Sequence, residues 1–210
     1  MTWAVRNVHL CSFALMLACK VHAQSIPAMQ EDAAKAAAPA QCLPGNDGFL
    51  RARLRGSISS DLDWSNEDTE CTGAVRPSGE GIRMRFAHPS PGSERHPQRL
   101  VLVFGIAQLR EGQSARHLPV NLTLIREGSG EFYGTQGDDK CMLDDVTQTP
   151  LTGIPHRERS YRVVVRGYCT EPARAVQGDG MVFISRFDFA GRVDFGSRDT
   201  LEEDTLVDRR

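Results

Sequence analysis

From Phe49 onward, apolar and polar residues alternate with a period of two. Leu50, Ala52 and Leu54 alternate with Arg51, Arg53 and Arg55, and Ile82, Met84 and Phe86 with Arg83 and Arg85. Val120, Leu122 and Leu124 alternate with Asn121 and Thr123. Such a period sends successive side chains to opposite faces, so each stretch predicts a strand with one buried and one wet side. Leu100 to Ile106 is apolar throughout, the pattern of a strand covered on both faces. Tyr161, Val163 and Val165 open another strand, and Met181 to Phe189 gives the last long one. Pro77-Ser78-Gly79, Pro91-Gly92, Gly128-Ser129-Gly130 and Gly178-Asp179-Gly180 punctuate them. The pattern predicts about seven to nine short strands and no long helix. It implies one all-β domain over residues 42–195, an antiparallel β-sandwich, with a closed β-barrel as the alternative.

The first 23 residues follow a different pattern. Arg6 precedes an apolar run from Val8 to Cys19, and Val21-His22-Ala23 offers a cleavage site, which together predict a signal peptide ending at Ala23. The run is shorter than the roughly 20 apolar residues that span a bilayer. Met16-Leu17-Ala18-Cys19 is an imperfect lipobox, so a lipid anchor at Cys19 is the alternative to simple cleavage. Residues 24–41, rich in Ala, Gln and Pro, read as a leader or tether, and 196–210 as a polar tail. The expected location is the periplasm or the medium, or the membrane surface for a lipoprotein.

Export changes the meaning of the cysteines. Of six, Cys11 and Cys19 lie in the signal, and Cys42, Cys71, Cys141 and Cys169 remain, an even number suited to disulfides. We expect Cys42–Cys71 and Cys141–Cys169. The second pair fits a hairpin register in which Cys141 faces Cys169, Asp144 faces Arg166, and Val146 faces Val164. That register centres on Gly153-Ile154-Pro155, where a turn is needed. No CxxC spacing supports zinc.

Charge adds an exclusion. Without residues 1–23 the chain carries 23 bases and 27 acids, a net charge of −4, which gives no general drive towards nucleic acid or anionic lipid. Arginine supplies 22 of the 25 bases, as in proteins encoded by GC-rich bacterial genomes.

Candidate chemistry is sparse. Asp61, Asp63, Asn66, Asp68 and Glu70 are oxygen donors within ten residues, with the aspartates and Glu70 as candidate calcium ligands, although EF-hand spacing is missing. Asp138 and Asp139 lie in a polar loop, 134–140, between Phe132-Tyr133 and Cys141, where they suit a cation or sugar hydroxyls. Tyr133 and Trp64 are rings able to stack on a ligand or to fill a core. Arg51, Arg53 and Arg55 share one strand face and Arg83 and Arg85 another; as neighbours they would form an anion-binding patch. Met84, His88 and His96 are soft ligands without a recognisable copper spacing. No G-x-S-x-G or H-E-x-x-H motif occurs. The expectation is a non-catalytic envelope module that binds a protein or glycan. The alternative is a hydrolase of envelope polymers with carboxyls drawn from 61–70 and 138–145.

Overall fold

The computed structural model describes residues 42–93, 96–153 and 159–196. The expected signal, the leader and all but the first residue of the tail lie outside these residues. The described chain is all β, with eleven strands where the pattern gave seven to nine. They are β1 (Phe49–Gly56), β2 (Ser60–Ser65), β3 (Glu70–Val75), β4 (Ile82–Ser93), β5 (His96–Ile106) and β6 (Pro119–Glu127). There follow β7 (Glu131–Gly134), β8 (Cys141–Pro150), β9 (Ser160–Cys169), β10 (Ala173–Ala175) and β11 (Met181–Asp194). The additional strands include β2, β7 and β10, too short or too polar to show a full alternation.

Where alternation was clear, burial follows it. Leu50, Leu54, Ile82, Met84, Phe86, Leu122 and Leu124 are buried, and Arg51, Arg53 and Arg83 are exposed. On β5 both faces are largely covered between Leu100 and Ile106. The centre of the core is aromatic. Phe104 packs on Phe189 with ring centroids 4.7 Å apart and on Phe187 at 5.0 Å, while Phe86 lies 5.1 Å from Phe189.

The strands pair into one sheet in the order β10-β7-β6-β5-β4-β3-β11-β1-β2, almost wholly antiparallel. β8 joins β6 to β9, β9 joins β11, and β10 also pairs with β11. The one parallel contact is Asp194 of β11 beside Ala74 of β3. β2 lies at the end of this order, paired with β1 alone.

Both expected disulfides are present, Cys42–Cys71 and Cys141–Cys169. The register of the β8–β9 hairpin needs a correction. Cys141 does face Cys169 and Leu143 faces Gly167, but a bulge follows, so that Asp145 rather than Asp144 faces Arg166, and Val146 faces Val165. A bulge places two residues opposite one and advances the later pairing by one step. The connection falls in 151–159 as expected, although Ile154 and Pro155 lie outside the described residues.

Candidate functional site

Five adjacent strands, in the order β2-β1-β11-β9-β8, build a shared charged face. Their registers align side chains in rows. Asp63, Arg51, Asp188, Arg166 and Asp145 stand opposite one another across all five strands, alternating in sign. Arg51 lies 3.0 Å from Asp63 and 3.9 Å from Asp188, and Arg166 lies 3.6 Å from Asp145. Arg51 also sits over the Phe49 ring, 4.7 Å from its centroid. Opposite charges facing across strands are favourable, and this row satisfies each cation from a neighbouring strand.

The next row differs. Asp61 of β2 faces Arg53 of β1, and Arg53 faces Arg186 of β11. Asp61 lies 2.7 Å from Arg55 and 3.6 Å from Arg53. The hydrogen bond from Arg55 holds the Asp61 carboxyl below its ordinary range, with the charges of Arg55 and Arg53 adding to the effect and desolvation opposing it. Arg186 is exposed and has no acidic partner among the described residues.

Between the rows runs an open groove of about 490 Å³. Its charged lining is four arginines, Arg51, Arg53, Arg166 and Arg186, and four aspartates, Asp61, Asp144, Asp145 and Asp188. A second open hollow of about 560 Å³ shares Asp145 and Arg166 and continues towards Ser114, Arg116 and Thr147.

The residues singled out in the sequence are placed separately. The acids of 61–70 face different partners: Asp61 and Asp63 meet the arginines of β1, and Asp68 accepts a hydrogen bond from Ser65 Oγ at 3.0 Å. Glu70 bonds to Arg99 of β5. Asn66 is buried, where it accepts from Leu43 N at 2.8 Å and donates to Leu43 O and Asn46 Oδ1, tying residues 43–46 to the β2–β3 turn. Among the described residues no three His, Cys, Asp or Glu side chains gather as metal ligands would. Trp64 is buried and stacks on His88, with centroids 4.9 Å apart. Tyr133 is buried as well, its hydroxyl donating to Glu131 at 3.3 Å.

The 134–140 loop is tethered at several points. Thr135 N donates to Leu122 O at 2.9 Å, and Asp138 lies 3.5 Å from Arg76. Lys140 lies 3.3 Å from Asp139 and 2.9 Å from Glu171; hydrogen bonds to these two acids raise its pKa, Glu171 contributing most. Asp139 remains largely exposed.

The arginines of β1 and those of β4 are not on paired strands, because β1 lies between β2 and β11 and β4 between β3 and β5. The condition for the expected patch therefore fails, and Arg85 pairs instead with Glu127 at 3.1 Å. Arg166, Arg186 and Asp188 are the groove residues that went unnoticed as site candidates. Each sits beside apolar residues in a strand pattern, and the only available signal was that β9 and β11 carry charge on one face. No family model, curated protein or solved structure matches the chain.

Proposed function

We propose that the chain is a non-catalytic binding module of the cell envelope, which takes a glycan or protein partner in the groove over β1 and β11. The observation that carries this reading is the groove itself, with a lining of arginines and aspartates most of which are held by cross-strand pairs. Polar groups held in place by their neighbours lose less entropy on meeting a ligand. Two disulfides favour an oxidising compartment. Among the described residues no helix is long and apolar enough to cross a membrane. For the architecture we infer closure as a barrel rather than a sandwich, because the pairings β11-β9-β8-β6-β5-β4-β3 return to β11.

A hydrolase is the second reading, since Asp61 and Asp144–Asp145, from the two acid-rich stretches, line the same groove. Against it, a general acid needs a raised pKa, and Asp61 is shifted downward. The test is thermal unfolding of the full chain with a panel of envelope glycans, followed by analysis for product. A ligand at a hundred times its Kd adds about 2.7 kcal/mol, or roughly 5–10 °C for a domain of this size. A rise without product, abolished by Asp145→Ala and retained in Asp138→Ala/Asp139→Ala, supports the groove. Retention in the first and loss in the second moves the site to the 134–140 loop. Product release turns the reading into hydrolysis.

A further inference from the structure

We propose that Arg186 and Arg53 form a subsite for the carboxylate of an acidic sugar within an otherwise neutral oligosaccharide. The inference rests on the groove being a binding surface and names the chemistry it selects. Its starting point is the break in the charge pattern. In the row through Arg51, every cation faces an acid on a neighbouring strand. In the row through Arg53, two arginines face each other directly. Like charges directly opposite on paired strands destabilise a sheet. Nearby acid relieves them only in part. Asp61 is the one carboxylate of that row, and it is held more closely by Arg55 than by Arg53. Among the described residues, Arg186 has no acid paired with it.

The missing partner is therefore an anion from outside. A carboxylate matches the planar fork of arginine with two parallel hydrogen bonds, and it neutralises the repulsion between Arg186 and Arg53 as it binds. The remaining lining sets what the carboxylate must be attached to. Asp144, Asp145 and Asp188 border the same groove, so a run of adjacent carboxylates would meet like charge within it. Those aspartates instead accept hydrogen bonds from neutral hydroxyls. Tyr168, whose ring is exposed, follows Gly167 on β9 just past the stretch paired with β11, at the margin of the groove rather than in its lining. A ring in that place offers an amphipathic surface for the face of a sugar. A volume of about 490 Å³ is in the range of pockets that hold small ligands. One acid sugar flanked by hydroxyl-bearing neighbours satisfies all of these, and a peptide carboxylate, whose N–H groups can also meet the aspartates, is separated from it by titration.

Isothermal titration of the full chain tests this with four probes. They are a glucuronic-acid-terminated disaccharide, its methyl ester, the corresponding neutral glucose disaccharide, and a glutamate-containing tripeptide. The expected result is that the acid disaccharide binds, and that the ester and the neutral sugar bind more weakly by about tenfold to a hundredfold. Arg186→Gln loses a similar factor for the acid disaccharide alone, whereas its ligand-free unfolding midpoint stays equal or rises because repulsion with Arg53 is gone. Arg53→Gln loses less, because Arg53 is already shared with Asp61. Equal binding of acid, ester and neutral sugars overturns the carboxylate subsite and leaves the groove reading intact. Unchanged affinity in Arg186→Gln does the same. Preference for the tripeptide overturns the sugar assignment. No binding of any probe, in wild type or variants, overturns the subsite, and the wider glycan panel then decides the groove reading separately.

Discussion

A Cβ at Gly167 would stand 2.6 Å from Phe187 Cζ and 2.6 Å from the Met142 carbonyl oxygen. The first contact belongs to a fully packed ring of the aromatic core and the second to backbone, so neither yields easily. Glycine is thus required here for close approach rather than for an unusual backbone angle. We expect Gly167→Ala to destabilise the protein by about 1–3 kcal/mol, the ordinary cost of overpacking a core. Denaturant unfolding measures it directly, and an unchanged midpoint would mean that Phe187 swings clear. Because Gly167 lines the groove beside Arg166 and Arg186, the same variant also tests whether packing beneath the arginines fixes their positions. Asn66 shows a different use of a polar residue: it is buried because it replaces backbone pairing for residues 43–46, which belong to no strand. Its acid-rich neighbourhood in the sequence gave no hint of that inward role.

Among the elements, the loop between β5 and β6 is the longest described connection and relies on Gln148 of β8 and on Arg159, the residue before β9. Gln148 Nε2 donates to Arg110 O at 2.7 Å and to Gln113 O at 2.8 Å, and its Oε1 accepts from Gly112 N at 3.2 Å. Arg159 grips Glu111 through Nε and Nη2, and its side chain is only 14% exposed. The hydrogen bond to Glu111 raises the Arg159 pKa. Burial raises that of Tyr161, with Glu111 next in effect. Glu111→Gln leaves a mostly buried guanidinium without its carboxylate. Its expected cost is about 1.5–3 kcal/mol, typical of a hydrogen bond to a charged group. Hydrogen exchange should show faster opening of 107–118 while β4 and β5 keep their protection. Uniform loss of protection would instead place this clamp in the global folding unit. The loop borders the hollow that continues the groove, so its order bears on how long a ligand the face can accept.

For the whole molecule, surface carboxylates held by arginines and hydroxyls set the response to acid. Asp61 lies below its ordinary value of 3.8, chiefly through the Arg55 hydrogen bond, and Glu131 below its ordinary 4.5, chiefly through that of Ser129. A carboxyl with a depressed folded pKa binds fewer protons folded than unfolded. Its contribution is present above the unfolded value and disappears as pH falls through the folded one. Stability should therefore be level above about pH 5 and decline below about pH 4. Asp61 is exposed and Glu131 partly so, and screening keeps each contribution small and salt-sensitive. Asp61→Asn should flatten part of the decline between these values in urea unfolding at a series of pH values. An identical profile would show that Arg55 holds Asp61 only loosely in solution.

The sequence by itself determined the strand-rich class, the buried faces of the strong strands and the facing of Cys141 and Cys169. Each depends on local periodicity or on a covalent partner within one hairpin or its immediate surroundings. The facing of Cys141 and Cys169 was readable because a hairpin relates its two strands by a simple count. The bulge after Leu143 was not, since one extra residue leaves the composition of the strand unchanged while moving Arg166 from Asp144 to Asp145. The groove was illegible for a larger reason. Its arginines come from residues 51, 53, 166 and 186, on strands that are distant along the chain and adjacent only in the sheet. Alternation says that a charged side chain faces outward, but only strand order says which charge stands beside it. That order placed Arg186 opposite Arg53 rather than opposite an acid.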